Sequence, residues 1–168
     1  MRCGLALDFL QIPNNSPPMA IWKQAVTLGP VAEDPRFPIP GTMAEHIGLR
    51  VTEIGEDYLR GTMPVDGRTR QPYGRLHGGA SCVLAEELGS IAASLCTDPK
   101  QVFTVGLEIN ANHIRGVTQG MVTGTARPLH VGRATQVWEI RIEDEQQRLV
   151  CISRLTVAVV KLSEGKKA

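Results

Sequence analysis

Aromatic side chains are scarce in this sequence: three Phe, two Tyr and two Trp make up 4% of its 168 residues. Such a chain offers few stacking platforms for nucleobases, and its core must be built from Val, Ile, Leu and Ala. An excess of one charge is missing too. The formal net charge is +1, which gives no electrostatic reason to expect nucleic acid or an acidic surface as partner. No window approaches the roughly 18 uncharged apolar residues of a membrane-spanning helix. The four cysteines, Cys3, Cys82, Cys96 and Cys151, form no C-x-x-C pair, so neither a zinc site nor a disulfide framework is expected. Free buried thiols in a reducing compartment are the better reading. Cys82 and Cys96 would stand about 21 Å apart on one helix, too far to bridge each other. Asp8 interrupts the short apolar run behind Arg2, and no signal peptide is read. A cytoplasmic protein is expected.

What is present fits one globular domain. Hydrophobic residues at 42% and charged residues at 21% are ordinary for a protein with a real core. Residues 1–18 end in Asn, Ser and Pro and read as a poorly structured extension, with Met19 as an alternative start. The domain is expected over 19–162, followed by a disordered tail, 163–168. Pro30, Pro35, Pro38 and Pro40 mark Gly29–Gly41 as loop. Thr42 with Glu45 three positions on reads as a capping box for a short helix, which Gly48 stops. Leu49, Val51 and Ile54 lead into a strand, with a turn at Gly55–Asp57 and a second strand from Tyr58 to Pro64.

A long helix is expected from about Gly78 to Leu95 or Cys96, and four strands after Pro99, over 101–115, 120–129, 134–142 and 149–161. Trp138, Ile140 and Ile142 alternate with Val137, Glu139 and Arg141, as a half-buried strand requires. The connections are short, Gly116 and Gly120 supplying the first turn and Glu143–Gln147 the last, so sequential strands are expected to be antiparallel neighbours. One antiparallel sheet of about six strands with one buried helix must wrap that helix, an α+β fold.

The chemistry concentrates in Gln71–Ser90, QPYGRLHGGASCVLAEELGS. Leu84, Leu88, Ile91 and Leu95 form an apolar stripe at helical spacing. Glu86, about 200° around from Leu84, leaves from the far side, and Ser90 follows one turn later. His77, Gly78 and Gly79 stand at the helix start, where unpaired N–H groups favour negative charge. A carboxylate and a hydroxyl on one face, near an anion-friendly helix end, could serve carbonyl chemistry.

Three blocks, Met63–Ser90, Val105–Gly116 and Pro128–Ile140, make the sequence resemble the hotdog-fold acyl-CoA thioesterases, in which a curved antiparallel sheet wraps a central helix. Within these it resembles the bacterial branch acting on aromatic acyl groups, which serves menaquinone and enterobactin synthesis. The resemblance implies thioester hydrolysis with Glu86 as general base or nucleophile and the Gly78 N–H as oxyanion donor. His77 and Gln71 would polarise the carbonyl or orient the acyl group, and Ser90 would orient water or the carboxylate. His113 and Asn112 would contact the acyl group or carrier arm. Arg115, His130, Gly132 and Arg133 would meet coenzyme A phosphates, while Tyr73, Val83 and Ile91 would shape the acyl pocket.

It also implies an acyl-CoA or acyl-carrier-protein substrate and a dimer or dimer of dimers with sites between subunits. No cofactor is implied beyond the coenzyme A of the substrate, no metal, no nucleic acid and no membrane. Each residue has an ordinary alternative: Glu86 as a solvated helix carboxylate, His77 as a loop hydrogen-bonder, Ser90 bonding back to a carbonyl. A hotdog dehydratase and a non-catalytic acyl-CoA-binding protein are the competing functions.

Overall fold

The computed structural model describes residues 20–31 and 37–162; the expected extension 1–18 and tail 163–168 lie outside the described residues. The elements run β1 (Gly29–Pro30), α1 (Met43–His46), β2 (Arg50–Ile54), β3 (Leu59–Pro64), α2 (Gly78–Leu95), β4 (Val102–His113), β5 (Met121–Val131), β6 (Thr135–Asp144) and β7 (Leu149–Lys161). The strands form one antiparallel sheet in the order β1-β2-β3-β5-β6-β7-β4, and α2 packs on it. This is the hotdog arrangement the resemblance implied.

The helix is held deep by the absence of side chains beneath it. Leu84, Leu88, Ile91 and Leu95 are buried, as are Trp138, Ile140, Leu155 and Val157 of the sheet. Gly61 on β3 and Gly124 on β5 are register partners, and together they form a socket for one leucine. A Cβ added to Gly61 would come within 2.7 Å of Leu88 Cδ2, and one on Gly124 within 2.7 Å of Leu88 Cδ1. On the helix itself, a Cβ on Gly89 would meet Leu155 Cδ2 at 2.6 Å. Trp22 stacks on Trp138 with ring centroids 6.4 Å apart, and its indole N–H donates to Gly55 O. This closes the end of the core where Lys23 and Gln24 donate to Leu95 O.

Three expectations are corrected. The proline-rich stretch is not all loop, because Gly29 and Pro30 pair with Ile54 and Glu53 and add a seventh strand. Proline is tolerated there because the strand is an edge. Thr42 is the N-cap of α1 but forms no capping box: its hydroxyl donates to Ile39 O at 2.6 Å, and Glu45 Oε2 accepts from Gly41 N–H at 2.7 Å. The preceding turn has claimed both groups. Finally, β4 and β5 are not neighbours, since β4 lies against β7 from Val102↔Lys161 to His113↔Cys151. The segment 114–120 crosses three interstrand spacings, roughly 14 Å, well within the reach of an extended chain of that length. Hydrogen bonds from Ile114 and Arg115 to Val150 O, and from Leu76 to Val117 O, hold it across the strand ends.

The Gly61 socket is open to test. Its missing Cβ faces the Arg50 carbonyl at 2.7 Å as well as Leu88, and backbone cannot step aside. Gly61→Ala is expected to lower stability by about 1–3 kcal/mol. Gly67→Ala, with nothing within 4 Å of the added carbon, is expected to leave stability unchanged or slightly raised. Urea unfolding of the two variants measures the contrast.

Candidate active site

Helix α2 starts on a histidine cap. His77 has extended backbone, and its Nδ1 accepts the Gly79 N–H at 2.8 Å. Its carbonyl accepts from Ala80 and Ser81, and its own N–H donates to Thr69 O at 2.8 Å. The buried Thr69 hydroxyl in turn donates to Pro64 O at 2.6 Å, tying the helix start to the end of β3. Of the first-turn amides, only that of Gly78 finds no acceptor among the described residues. With Nδ1 accepting, the neutral ring carries its proton on Nε2.

His113 closes over this amide. It lies on the inner face of β4, and its Nε2 is 2.7 Å from where a Gly78 Cβ would stand. The imidazole therefore rests on bare backbone. Gln71, Gly78, His113 and Arg115 line one cavity of about 250 Å³, which Arg75 and Ser81 share. Gln71 is fixed by its turn: its N–H donates to Arg75 O, its carbonyl accepts from Gly74, and its Oε1 accepts the Tyr73 N–H.

Glu86 lies further along the same helix face. Gly78, Cys82, Glu86 and Ser90 recur every four residues and form one stripe. Glu86 is exposed, and its Oε1 is 3.2 Å from the position of a Gly106 Cβ on β4. No donor reaches this carboxylate among the described residues. By helix rise it stands about 12 Å from Gly78, so one chain does not bring the two together.

The other expected residues are dispersed. Asn112 pairs with Ile152 and points to the outer face, opposite in sense to His113. Tyr73 is 89% exposed. Gly132 donates to Thr135 O at 2.9 Å, closing the β5–β6 turn beside His130. Gly132 and Arg133 line a separate cavity of about 620 Å³ with Lys23, Cys96 and Asp98, at the far end of α2. Val83 is partly buried against the core and Ile91 belongs to it.

The thioesterase superfamily profile matches residues 73–151. The 1,4-dihydroxy-2-naphthoyl-CoA hydrolase of Escherichia coli K12 is 51% identical over 140 residues, 83% of this chain and 99% of that protein. This chain belongs to the thioesterase superfamily. The proofreading thioesterase EntH of Cronobacter turicensis is 52% identical over 140 residues, 83% of this thioesterase and 98% of that protein. The crystal structure of a Haemophilus influenzae thioesterase superposes with a TM-score of 0.79 at 45% identity, covering 88% of this chain and 99% of that one.

Sequence reasoning passed over several residues in the thioesterase. Arg75 and Ser81 line the cavity, Cys82 sits between Gly78 and Glu86, and Gly106 makes room for the Glu86 carboxylate. A glycine inside a strand pattern was a usable signal for Gly106; it falls at the register shift before Glu108. Cys82, Cys96 and Cys151 are free; Cys82 is half-buried and the other two are buried, whereas Cys3 lies outside the described residues. Burial first, and the neighbouring Glu86 second, push the Cys82 thiol up. It stays protonated at neutral pH and does not act as a thiolate. Among the described residues, no group of three or more His, Cys, Asp or Glu could hold a metal ion.

Glu87, one position from Glu86, is half-buried, and no ion pair reaches it among the described residues. Burial, then the charge of Glu86, raise its carboxyl above the ordinary value of 4.5. The folded thioesterase thus holds this proton more tightly than the unfolded chain. The group's contribution to stability is greatest below pH 4.5 and falls as pH rises through the folded value. Glu87→Gln is expected to raise the urea midpoint near pH 7 and leave it unchanged near pH 4. Unfolding curves at the two pH values check this.

Proposed function

We propose that this thioesterase hydrolyses an acyl-CoA or acyl-carrier thioester with an aromatic acyl group, of the class named for the 1,4-dihydroxy-2-naphthoyl-CoA hydrolase it resembles. The observation that carries the reading is the Gly78 amide: a helix-start N–H without an acceptor among the described residues, on a glycine that lines a cavity with His113 and Gln71. A thioester carbonyl oxygen accepts from this N–H, and the helix dipole favours the negative charge that grows on it. Gln71 and His77 hold the acyl group against the donor. Glu86 takes the proton of an attacking water held by Ser90, or attacks the carbonyl carbon itself to form a mixed anhydride that water then hydrolyses. In either route the C–S bond breaks, a proton from the water passes to the leaving sulfur, and the products are the free acid and the thiol.

The separation of Gly78 and Glu86 along one helix favours an active site made from two chains, with Glu86 of one copy facing Gly78 of the other. β4 supports this. It is a long edge strand with one side unpaired among the described residues, and Phe103, Val105 and Leu107 are exposed along it. We read the enzyme as a homodimer or a dimer of dimers. In such an assembly the His130–Gly132–Arg133 turn of one copy supplies contacts to coenzyme A phosphates, and Arg115, Asn112 and Tyr73 line the path of carrier and acyl group. Substrates of this kind place the reaction in the cytoplasm, with menaquinone or enterobactin synthesis as its setting.

Two outcomes test the proposal. Glu86→Gln is expected to lower kcat on benzoyl-CoA by roughly 10²- to 10⁴-fold with the thermal midpoint retained; undiminished turnover in the folded variant removes Glu86 from the chemistry. Mixing Glu86→Gln with Gly78→Ala chains, each inactive alone, is expected to restore turnover, because one site of the mixed dimer then holds both intact residues. Failure to restore it in mixed oligomers places the whole site within one chain.

A further inference from the structure

The ring of His113 lies face-down on the start of α2. His113 is the last residue of β4, held opposite Cys151. The next two residues, Ile114 and Arg115, donate their N–H groups to Val150 O at 2.8 and 3.2 Å, so the root of the side chain is fixed at the sheet end. Nε2, Cε1 and Cδ2 stand 2.7, 3.1 and 3.2 Å from the position a Gly78 Cβ would take. Distances this similar mean that the ring meets the glycine with its face, at the Nε2 corner. A proton on Nε2 lies in the ring plane and therefore points alongside the helix start, not into it.

The two nitrogens are close enough to share one acceptor. A backbone nitrogen lies about 2.5 Å from its own Cβ position, so His113 Nε2 is at most about 5.2 Å from the Gly78 nitrogen. Two donors that share an oxygen, each about 2.9 Å from it, can stand as far as about 5.8 Å apart. The imidazole is also uncommitted. No hydrogen bond or ion pair reaches it among the described residues, although it shares the wall of the cavity with Gln71 and Ser81. His77, by contrast, has its Nδ1 taken by the Gly79 N–H at 2.8 Å. With no partner to fix its tautomer, the neutral His113 ring is free to carry its proton on Nε2. A carbonyl oxygen has two lone pairs, and its demand for donors grows as attack on the carbon places negative charge on it. The Gly78 N–H meets half of that demand.

We propose that His113 is a catalytic residue, its Nε2–H being the second donor to the thioester oxygen that the Gly78 N–H receives. This rests on the thioesterase reading of the cavity, and it moves His113 from the carrier arm or the acyl body to the reacting atom. Both donors belong to one chain, so the oxyanion site is complete within each copy and only the carboxylate is borrowed.

Two measurements test this: the kinetics of benzoyl-CoA hydrolysis, and the isotope-edited infrared band of its carbonyl when bound. His113→Leu is expected to lower kcat by roughly 10²- to 10³-fold, with KM and the thermal midpoint near those of wild type. His113→Gln, whose amide nitrogen reaches the place of Nε2, is expected to recover most of that loss. The band is read with the thioester bound to the slow variant Glu86→Gln. Adding His113→Leu is expected to move it to higher frequency, and adding His113→Gln to leave it near its place. A band unmoved by His113→Leu overturns the proposal even if kcat falls, because a packing role leaves the carbonyl untouched. A raised KM at unchanged kcat puts His113 on the carrier arm and overturns it as well. Should wild type bind benzoyl-CoA without hydrolysing it, the thioesterase reading fails and the band alone decides for or against His113. No bound band in any variant overturns both.

Discussion

The depth at which α2 sits is set by one contact, the two methyl groups of Leu88 resting on the backbone of Gly61 and Gly124. Because these glycines are partners across β3 and β5, they make a hole in the sheet surface the width of one leucine. Dispersion and the exclusion of water both favour filling it. Once Leu88 is seated, the rotation of the helix is fixed, since a shift of one residue would turn its faces by about 100°. Everything chemical inherits that setting. Gly78 comes to rest under His113 and the Glu86 carboxylate comes to rest over Gly106, each where a side chain on the glycine would intrude. The helix lies close to the sheet at the buried stripe and at the reactive stripe for the same reason.

At the helix start the decisive fact is how the amides are shared out. His77 spends its Nδ1 on Gly79 and its carbonyl on Ala80 and Ser81, which leaves the Gly78 N–H as the available donor. A Ser or Asp cap would satisfy the same orphan amides. An imidazole does so while keeping a second ring nitrogen for another partner. The thiol of Cys82, one turn along, is held protonated by burial and by Glu86, so it adds bulk and polarizability to the reactive stripe without competing as a base.

Most of the fold could be read from periodicity. The stripe Leu84, Leu88, Ile91 and Leu95 and the alternation Trp138, Ile140, Ile142 are strong signals because one face of each element is buried completely. What escaped is what periodicity does not encode. Pairing of β4 with β7 depends on which edge is free at the end of the chain, and a short connection from β4 to β5 pointed the other way. The capping box at Thr42 had the right residues, but their hydrogen bonds went to Ile39 and Gly41. In the site, Gln71, Gly78, His113 and Arg115 were legible from motif blocks and do share a cavity. Arg75 was not, because a surface arginine in a loop has no pattern to betray it until the opposite wall is seen. Asn112 and Arg133 carry the right chemistry but stand on other faces of the single chain.

The swap of β4 to the far edge also orders events in time. The strand made directly after the helix finds its partner only in the last strand, with Val102 opposite Lys161 and His113 opposite Cys151. Until β7 is synthesised, β4 emerges with both edges bare and Phe103, Val105 and Leu107 uncovered, a segment that invites wrong pairing. Its loop closes late and over long sequence distance, which slows folding. Cutting the chain within β7 therefore strips the sheet of two strands at once, and with them the wall that holds His113 over Gly78.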